Sequence, residues 1–371
     1  MQTNSLFETF RELTAIDSPS FGERRLCDLL TAKLTALGVA CEEDGALCDE
    51  ETGGNCGNLY GYLPGDLPGA PLLFSAHMDT VEPARGKRAI LSDRGKITSD
   101  GTTVLGADNV SGITVILKAI ELLRESGARH RSLELLFTAA EERYGAGSAL
   151  AGYSGIQAKE AYVLDLSGAI GEAANAAPTI LSFTVTVRGK ASHAGFAPKE
   201  GVSAIAAAAK AIARIPLGEL SGLTCNIGVI HGGEAGNIIP ACCKVTGEIR
   251  SLSHTAVLEH WEKVRAIFEE EARAMGAAAE FARKAEITAY ETPLNRPVVK
   301  RFRRACETAG LPCNIHSTLG GSDNNNFALH GIEGLVVACS MHDVHSTREF
   351  ALLDELEQCV RLTVLLMSAA D

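Results

Sequence analysis

Hydrophobic positions along the chain fall into two textures. Near the start, Leu6, Phe7, Phe10 and Leu13 recur at helical spacing, and so do Leu26, Leu29, Leu30, Leu34 and Leu37. Gly38 then supplies a helix stop. Short apolar runs at residues 58–63, 72–76, 133–139 and 162–166 predict strands, and the spacing of Val110, Ile113, Leu117 and Ile120 predicts a helix over 109–124. Strands alternating with helices of this length predict an α/β domain whose mixed, mostly parallel sheet is covered on both faces by helices.

Near residue 178 the texture changes. Residues 180–188 (ILSFTVTVR) alternate like a half-exposed strand, as do 225–231 and 244–250. An Ala-rich helix is predicted over 202–215 and a longer one over 254–275, with a fourth strand at 278–288. Strand, helix, strand, strand, helix, strand is the order of a ferredoxin-like α+β unit. After Pro293 the first texture returns, with a helix at 296–309, a strand at 335–339 and a closing helix at 352–367. The expected organisation is therefore a discontinuous domain, 1–177 with 291–371, into which a smaller domain, 178–290, is inserted.

Composition narrows the function classes. At 371 residues the chain holds two or three domains of roughly 150 residues each. With 46% hydrophobic and 22% charged residues, it can build a sizeable core without disulfide or metal staples. Its 46 acidic against 34 basic residues leave a net charge of −12, which repels phosphate backbones and anionic lipid. Nucleic-acid and membrane partners are thus not expected. The first residues show no basic stretch leading into an apolar core, residues 204–215 are broken by Lys210 and Arg214, and 335–341 is too short to span a bilayer. A cytoplasmic location is expected. Eleven cysteines, with no C-x-x-C pair and with Cys242 next to Cys243, read as reduced thiols rather than a disulfide framework.

The candidate chemistry sits at predicted strand ends. His77 and Asp79 follow the strand at 72–76, and alternation puts both on one side of the chain. A metal-bound imidazole characteristically donates its second N–H to a carboxylate, which H-x-D allows; the plain alternative is a surface histidine beside a turn aspartate. Asp108 leads into a helix, where it reads equally as an N-cap. Glu141-Glu142 follow the strand at 133–139, and two such acids can divide roles, one binding metal while the other moves a proton. Asp165 ends the next strand within Val-Leu-Asp-Leu-Ser-Gly. Open α/β sheets bind ligands at the carboxyl ends of their strands, so these acids gather where a site belongs.

The segments SAHMDTV (75–81), LGADNVSG (105–112), TAAEE (138–142), VLDLSG (163–168), GKASHAGFAPKEG (189–201) and VHSTREF (344–350) together resemble the M20 metallopeptidases. The resemblance is greatest to their peptidase T (tripeptide aminopeptidase) branch and covers nearly the whole chain. It implies a zinc-exopeptidase-like catalytic domain, an inserted ferredoxin-like dimerisation (lid) domain, and two divalent ions per subunit. By motif position Asp108 bridges the ions, His77 and Asp165 complete one site, and Glu142 and His345 complete the other. Asp79 would orient His77, and Glu141 would be the general base. Nitrogen and oxygen ligands without thiolate suit Zn²⁺ first and also admit Mn²⁺ or Co²⁺. On residues alone His342 and His345 are nearly equivalent; the family pattern of Ser-Thr and then an acid selects His345.

His193 is implied to reach the partner subunit's site and help hold the oxyanion, which requires a homodimer formed through the inserted domain. Asn237 and Arg250 match positions that contact the substrate's carboxylate end, and Gly320, Gly321, Ser322 and Asp323 match a substrate-side loop. Asp165, rather than glutamate, at its ligand position marks aminopeptidases within the family. The expected function is removal of the N-terminal residue from di- or tripeptides. The runner-up is an N-acyl-amino-acid amidohydrolase or carboxypeptidase using the same centre, and a non-catalytic metal-binding scaffold is the third reading. His130, His231, His254, His260, His316 and His330 have no motif support and are expected to be structural.

Overall fold

Strands Leu72–His77, Leu133–Thr138, Glu160–Leu166 and Glu333–Ala338 are mutually parallel and form the centre of a mixed sheet in the computed structural model, which describes residues 3–48 and 50–368. Leu72–His77 lies between the other two early strands, so spatial order departs from chain order. Antiparallel strands flank this centre: Leu59–Leu63 and then Ala40–Glu43 on one side, Glu172–Ala177 on the other.

Every residue of Leu72–His77 and of Leu133–Thr138 is buried, because both faces of the sheet are covered. Period-two alternation feeds two cores. Leu72, Phe74, Ala76, Leu135, Phe137 and Tyr162 enter the larger one, built against helices Thr3–Thr14, Ala107–Ser126, Pro297–Ala309 and Leu353–Ser368. Leu73, Leu136, Ala161, Val163 and Val336 face the opposite way, around Phe327 of the short helix Asn324–Leu329.

One charge is buried in this unit at high cost. The side chain of Arg301, on helix Pro297–Ala309, is 1% exposed and donates through Nη1 to Glu160 at 2.6 Å. Its removal leaves a buried cavity and a Glu160 carboxylate left with the longer 3.9 Å contact to Arg131 Nη1. Arg301→Ala is therefore expected to lower unfolding free energy by about 3–5 kcal/mol in a denaturant titration. A loss below about 1 kcal/mol would place the pair among weak surface bridges.

The chain divides into two units. The first runs to Ala176 and resumes over Glu291–Thr318 and from Ser322 onward; the second holds Ala177–Tyr290 with Leu319–Gly321. In the second, Leu223–Gly232, Cys242–Ser251, Thr179–Arg188 and Ala278–Ile287 form an antiparallel sheet in that spatial order, with Gly218–Leu220 extending it beyond Leu223–Gly232. Two helices, Ala204–Arg214 and His254–Ala274, cover one face, with Ser203 and Ser253 capping their first amides. Trp261 anchors that core against Phe183 and Phe281, with ring centroids 5.2 and 6.1 Å away. Among the described residues, no helix is long and apolar enough to cross a membrane.

Candidate metal centre

The parallel register brings the strand ends level. His77, the last residue of its strand, pairs with Thr138, and Asp165 is the penultimate residue of the neighbouring strand. Asp108 arrives from helix Ala107–Ser126, but it does not cap it. Gly106 takes the cap position with φ 76°, and Asp108 and Asn109 carry non-helical torsions, so the helix is regular only from Val110. The Asp108 carboxylate is thereby free to face two histidines. Its Oδ1 lies 2.9 Å from His77 Nε2, and its Oδ2 lies 3.2 Å from His345 Nε2.

The remaining acids close the cluster. His345 Nε2 is 3.0 Å from Glu142 Oε1, and His77 Nε2 is 3.6 Å from Asp165 Oδ1. His77, Asp108 and Glu142 each offer an atom within 4.8 Å of the others, as do His77, Glu141 and Asp165. His342 is directed elsewhere: its Nε2 meets Glu355 at 2.6 Å while its ring stacks on Phe350. Of the two nearby histidines, the fold brings only His345 to the carboxylates.

Asp79 has more partners than an H-x-D pattern discloses. His77 Nδ1 lies 3.0 Å from the Asp79 carbonyl oxygen and 3.3 Å from its carboxylate. The same carboxylate accepts the amides of Glu141 (2.9 Å) and Glu142 (3.2 Å) and the Ser20 hydroxyl (2.7 Å). It is fully buried and holds the histidine and both glutamates together. Three further residues support the cluster. Glu349 accepts the amides of Gly106 (2.7 Å) and Asp108 (2.9 Å), Asn109 Nδ2 donates to Asp165 at 3.1 Å, and Glu23 accepts the Ala140 amide at 2.9 Å. Glu349 and Asn109 had a signal, since they stand in the VHSTREF and LGADNVSG segments; Glu23 had none.

Crowding of acids dominates the electrostatics. Burial, reinforced by Asp165, pushes the Glu141 carboxyl well above its ordinary value. Burial also lifts Asp165 to about 7 against the opposing pull of His77. Burial likewise opposes ionisation of Asp108, yet hydrogen bonds from His345 and His77 outweigh it and hold that carboxyl low. His345 is raised to about 10 by its hydrogen bonds to Asp108 and Glu142. Among the described residues, the cations paired with these acids are histidines. A buried set of nitrogen and oxygen donors with surplus negative charge fits divalent ions, and no thiol takes part.

The second unit holds the other residues. The short strand Ser192–His193 pairs with Ile238–Ile239, which sets His193 beside Asn237, and the Ala194 amide donates to the Asn237 carbonyl at 2.9 Å. His193 is exposed, and its Nδ1 accepts the amides of Gly195 and Phe196, both at 3.1 Å. Arg250 pairs with Glu248 at 2.7 Å and donates to the Leu319 carbonyl at 3.2 Å, next to Gly320. A Cβ on Gly321 would lie 2.2 Å from Ile287 Cδ1, so a larger residue there requires the end of that side chain to move. Ser322 and Asp323 fall in the first unit, 4% and 1% exposed, and Asp323 accepts the Thr138 hydroxyl at 2.5 Å. That carboxylate supports the strand end from beneath rather than lining open space.

A mixed, mostly parallel α/β sheet with a histidine–carboxylate cluster at its strand ends, carrying an inserted α+β unit, fits a metal-dependent peptidase. Residues 175–276 match the family model of a peptidase dimerisation domain, and residues 58–194 match that of peptidase family M28. The uncharacterized protein YqjE of Bacillus subtilis is 34% identical, over 98% of each chain. The solved aminopeptidase PepT of Bacillus cereus is 36% identical with TM-score 0.91, and a tripeptidase of Staphylococcus aureus is 31% identical with TM-score 0.95; each alignment covers 99% of this chain and 98% of the other. The chain belongs to the M20 family of metallopeptidases, in its peptidase T branch.

Proposed function

We propose that this protein is a two-metal aminopeptidase that releases the N-terminal residue of di- and tripeptides. One observation carries the reading: Asp108 offers its two oxygens to two different histidines, and Glu142, Asp165 and the Glu141 base candidate surround the same point. In this reading Asp108, His77 and Asp165 would hold one divalent ion, and Asp108, Glu142 and His345 would hold a second. Bound divalent ions, Zn²⁺ foremost with Mn²⁺ or Co²⁺ as alternatives, supply Lewis acidity toward the scissile carbonyl and the attacking water.

The chain's own residues do the rest. Glu141 takes a proton from the attacking water and returns it to the leaving amine. Asp79 fixes the ring of His77 through Nδ1 and keeps the Glu141 and Glu142 amides in place. Since Nδ1 of neutral His193 accepts two amides, its proton resides on Nε2, which suits a donor to the developing oxyanion. Asn237 and Arg250 are assigned to the substrate's carboxylate end, with Gly320, Gly321, Ser322 and Asp323 forming and bracing the substrate-side loop.

Profiling free against N-acetylated tripeptides by mass spectrometry tests the substrate class. Release of the first residue from the free set is expected. Cleavage of the blocked set alone would instead favour the N-acyl-amino-acid amidohydrolase reading.

The dimerisation domain leads us to assign a homodimer, with His193 serving the partner subunit's site. Strand Leu223–Gly232 supports this, since it lies toward one edge of its sheet with Val229 and Ile230 exposed. The opposite edge, Ala278–Ile287, is guarded by Glu280, Arg283 and Lys284. His193→Ala is expected to lower kcat about 10²–10³-fold. A monomer by light scattering that is fully active and indifferent to this change would remove the assignment. Among the described residues no cysteine forms a disulfide, which favours a reducing compartment, and we assign the protein to the cytoplasm.

A further inference from the structure

The loop that presents Glu141 and Glu142 begins at Ala140, whose φ of 48° lies in the left-handed region that a residue with a Cβ adopts at a cost. Its neighbours hold it at several points. The Ala139 amide donates to Asn58 Oδ1 (3.2 Å), and the Gly145, Ala146 and Gly147 amides return to the carbonyls of Glu141, Ala140 and Ala139. Three successive amides, those of Ala140, Glu141 and Glu142, are taken up by two buried carboxylates. Asp79 takes the last two, and Glu23 takes the first.

Glu23 is the unexpected member. It stands at the N-cap position of helix Arg24–Ala36, but its side chain does not cap that helix. One oxygen instead accepts the amides of Phe21 and Ala140, each at 2.9 Å, so a residue 117 positions away determines the backbone just before Glu141. Glu23 is 0% exposed, and burial together with the nearby Asp79 lifts its carboxyl to about 7. A carboxyl buried beside another acid is a costly way to fill space, yet here it supplies the acceptor that the Ala140 amide needs.

We propose that Glu23 is a positioning residue for Glu141: by holding the Ala140 amide it fixes where the Glu141 carboxylate lies relative to His77 and Asp165. The inference rests on Glu141 being the general base. Displacing a reacting group by about 1 Å can cost up to about 10²-fold, which sets the scale of the effect. Glu23 touches neither substrate nor the donor atoms of the cluster, so its loss acts on kcat and leaves KM and metal content in place.

The test uses metal-loaded, full-length Glu23→Gln, Glu23→Asp and Glu23→Leu variants, with Glu141→Gln as a separate arm. Asp withdraws the acceptor by one methylene and Leu removes it; both are expected to lower kcat about tenfold or more with KM and metal stoichiometry unchanged. Gln keeps the acceptor oxygen and is expected to stay within about threefold of wild type by the same reasoning. If the Leu variant does not fold, the Asp and Gln variants carry the comparison. Equal kcat in Asp, Gln and wild type overturns the inference, as does a kcat loss matched by loss of metal or a rise in KM. Full turnover by Glu141→Gln refutes the base assignment itself, whereas an inactive Glu141→Gln beside an unaffected Glu23→Asp refutes only the positioning role.

Discussion

Glu141→Gln is expected to lower kcat by about 10²–10⁴-fold, the usual contribution of a positioned general base. The substitution is nearly isosteric, so the amide of residue 141 keeps its bond to Asp79 and the loop keeps its course. What disappears is the proton acceptor. Burial and the neighbouring Asp165 raise the affinity of this carboxyl for a proton, as a group that must take up and later release one requires. Metal stoichiometry and KM are expected to remain at wild-type values, because the assigned ligands are untouched. Steady-state kinetics on a tripeptide, with elemental analysis of the same preparation, checks this. Turnover within a few-fold of wild type with metal bound would sink the base role.

Asp108→Asn is expected to have the second large effect, through a different route. Asp108 offers Oδ1 toward His77 and Oδ2 toward His345, an arrangement that an asparagine cannot reproduce because its Nδ2 is a donor. Both ions should bind more weakly, and metal content should fall from two per chain. Since such ions contribute several kcal/mol to the transition state, activity should drop by about 10³-fold or more. Circular dichroism should remain that of the folded protein, since the change preserves size. Retention of two tightly held ions would show that Asp108 does not bridge them.

Both predictions concern residues that sequence alone could nominate. His77, Asp79, Glu141, Glu142 and Asp165 stand within a few residues of the ends of Leu72–His77, Leu133–Thr138 and Glu160–Leu166. The apolar runs mark those strands because a sheet covered on both faces needs apolar residues at nearly every position. The period-two strands and two helices of the inserted unit were legible for the complementary reason: one face of its sheet is covered and the other is not. By contrast, Glu172–Ala177 (EAANAA) has the composition of a helix and lies as a buried strand between Glu333–Ala338 and Asn314–Ser317. There the small side chains suit a crowded position, and packing overrides alanine's helical preference.

The supporting residues were harder to see. Glu349 acts on the amides of Gly106 and Asp108, more than 240 residues away in sequence, and Glu23 acts on Ala140. A carboxylate that binds backbone N–H groups leaves no mark on the partner's side chain, so no motif records the pair. Asp108 shows the same limit from the other side. Its place before a helix suggests a cap, and only the torsions at Asp108 and Asn109 turn its carboxylate toward the histidines.

By itself, then, the sequence determined most of the elements, the two textures, the set of titratable side chains and the strand ends at which they stand. These follow from local periodicity and from side-chain chemistry, which a linear chain carries explicitly. Tertiary structure alone decided the order of strands in the sheet and the use of Asp79, Glu23 and Glu349 as anchors for backbone amides. Those outcomes depend on distances between residues remote along the chain. Packing fixes such distances once loop closure has been offset by the burial of two cores, and no local pattern contains them.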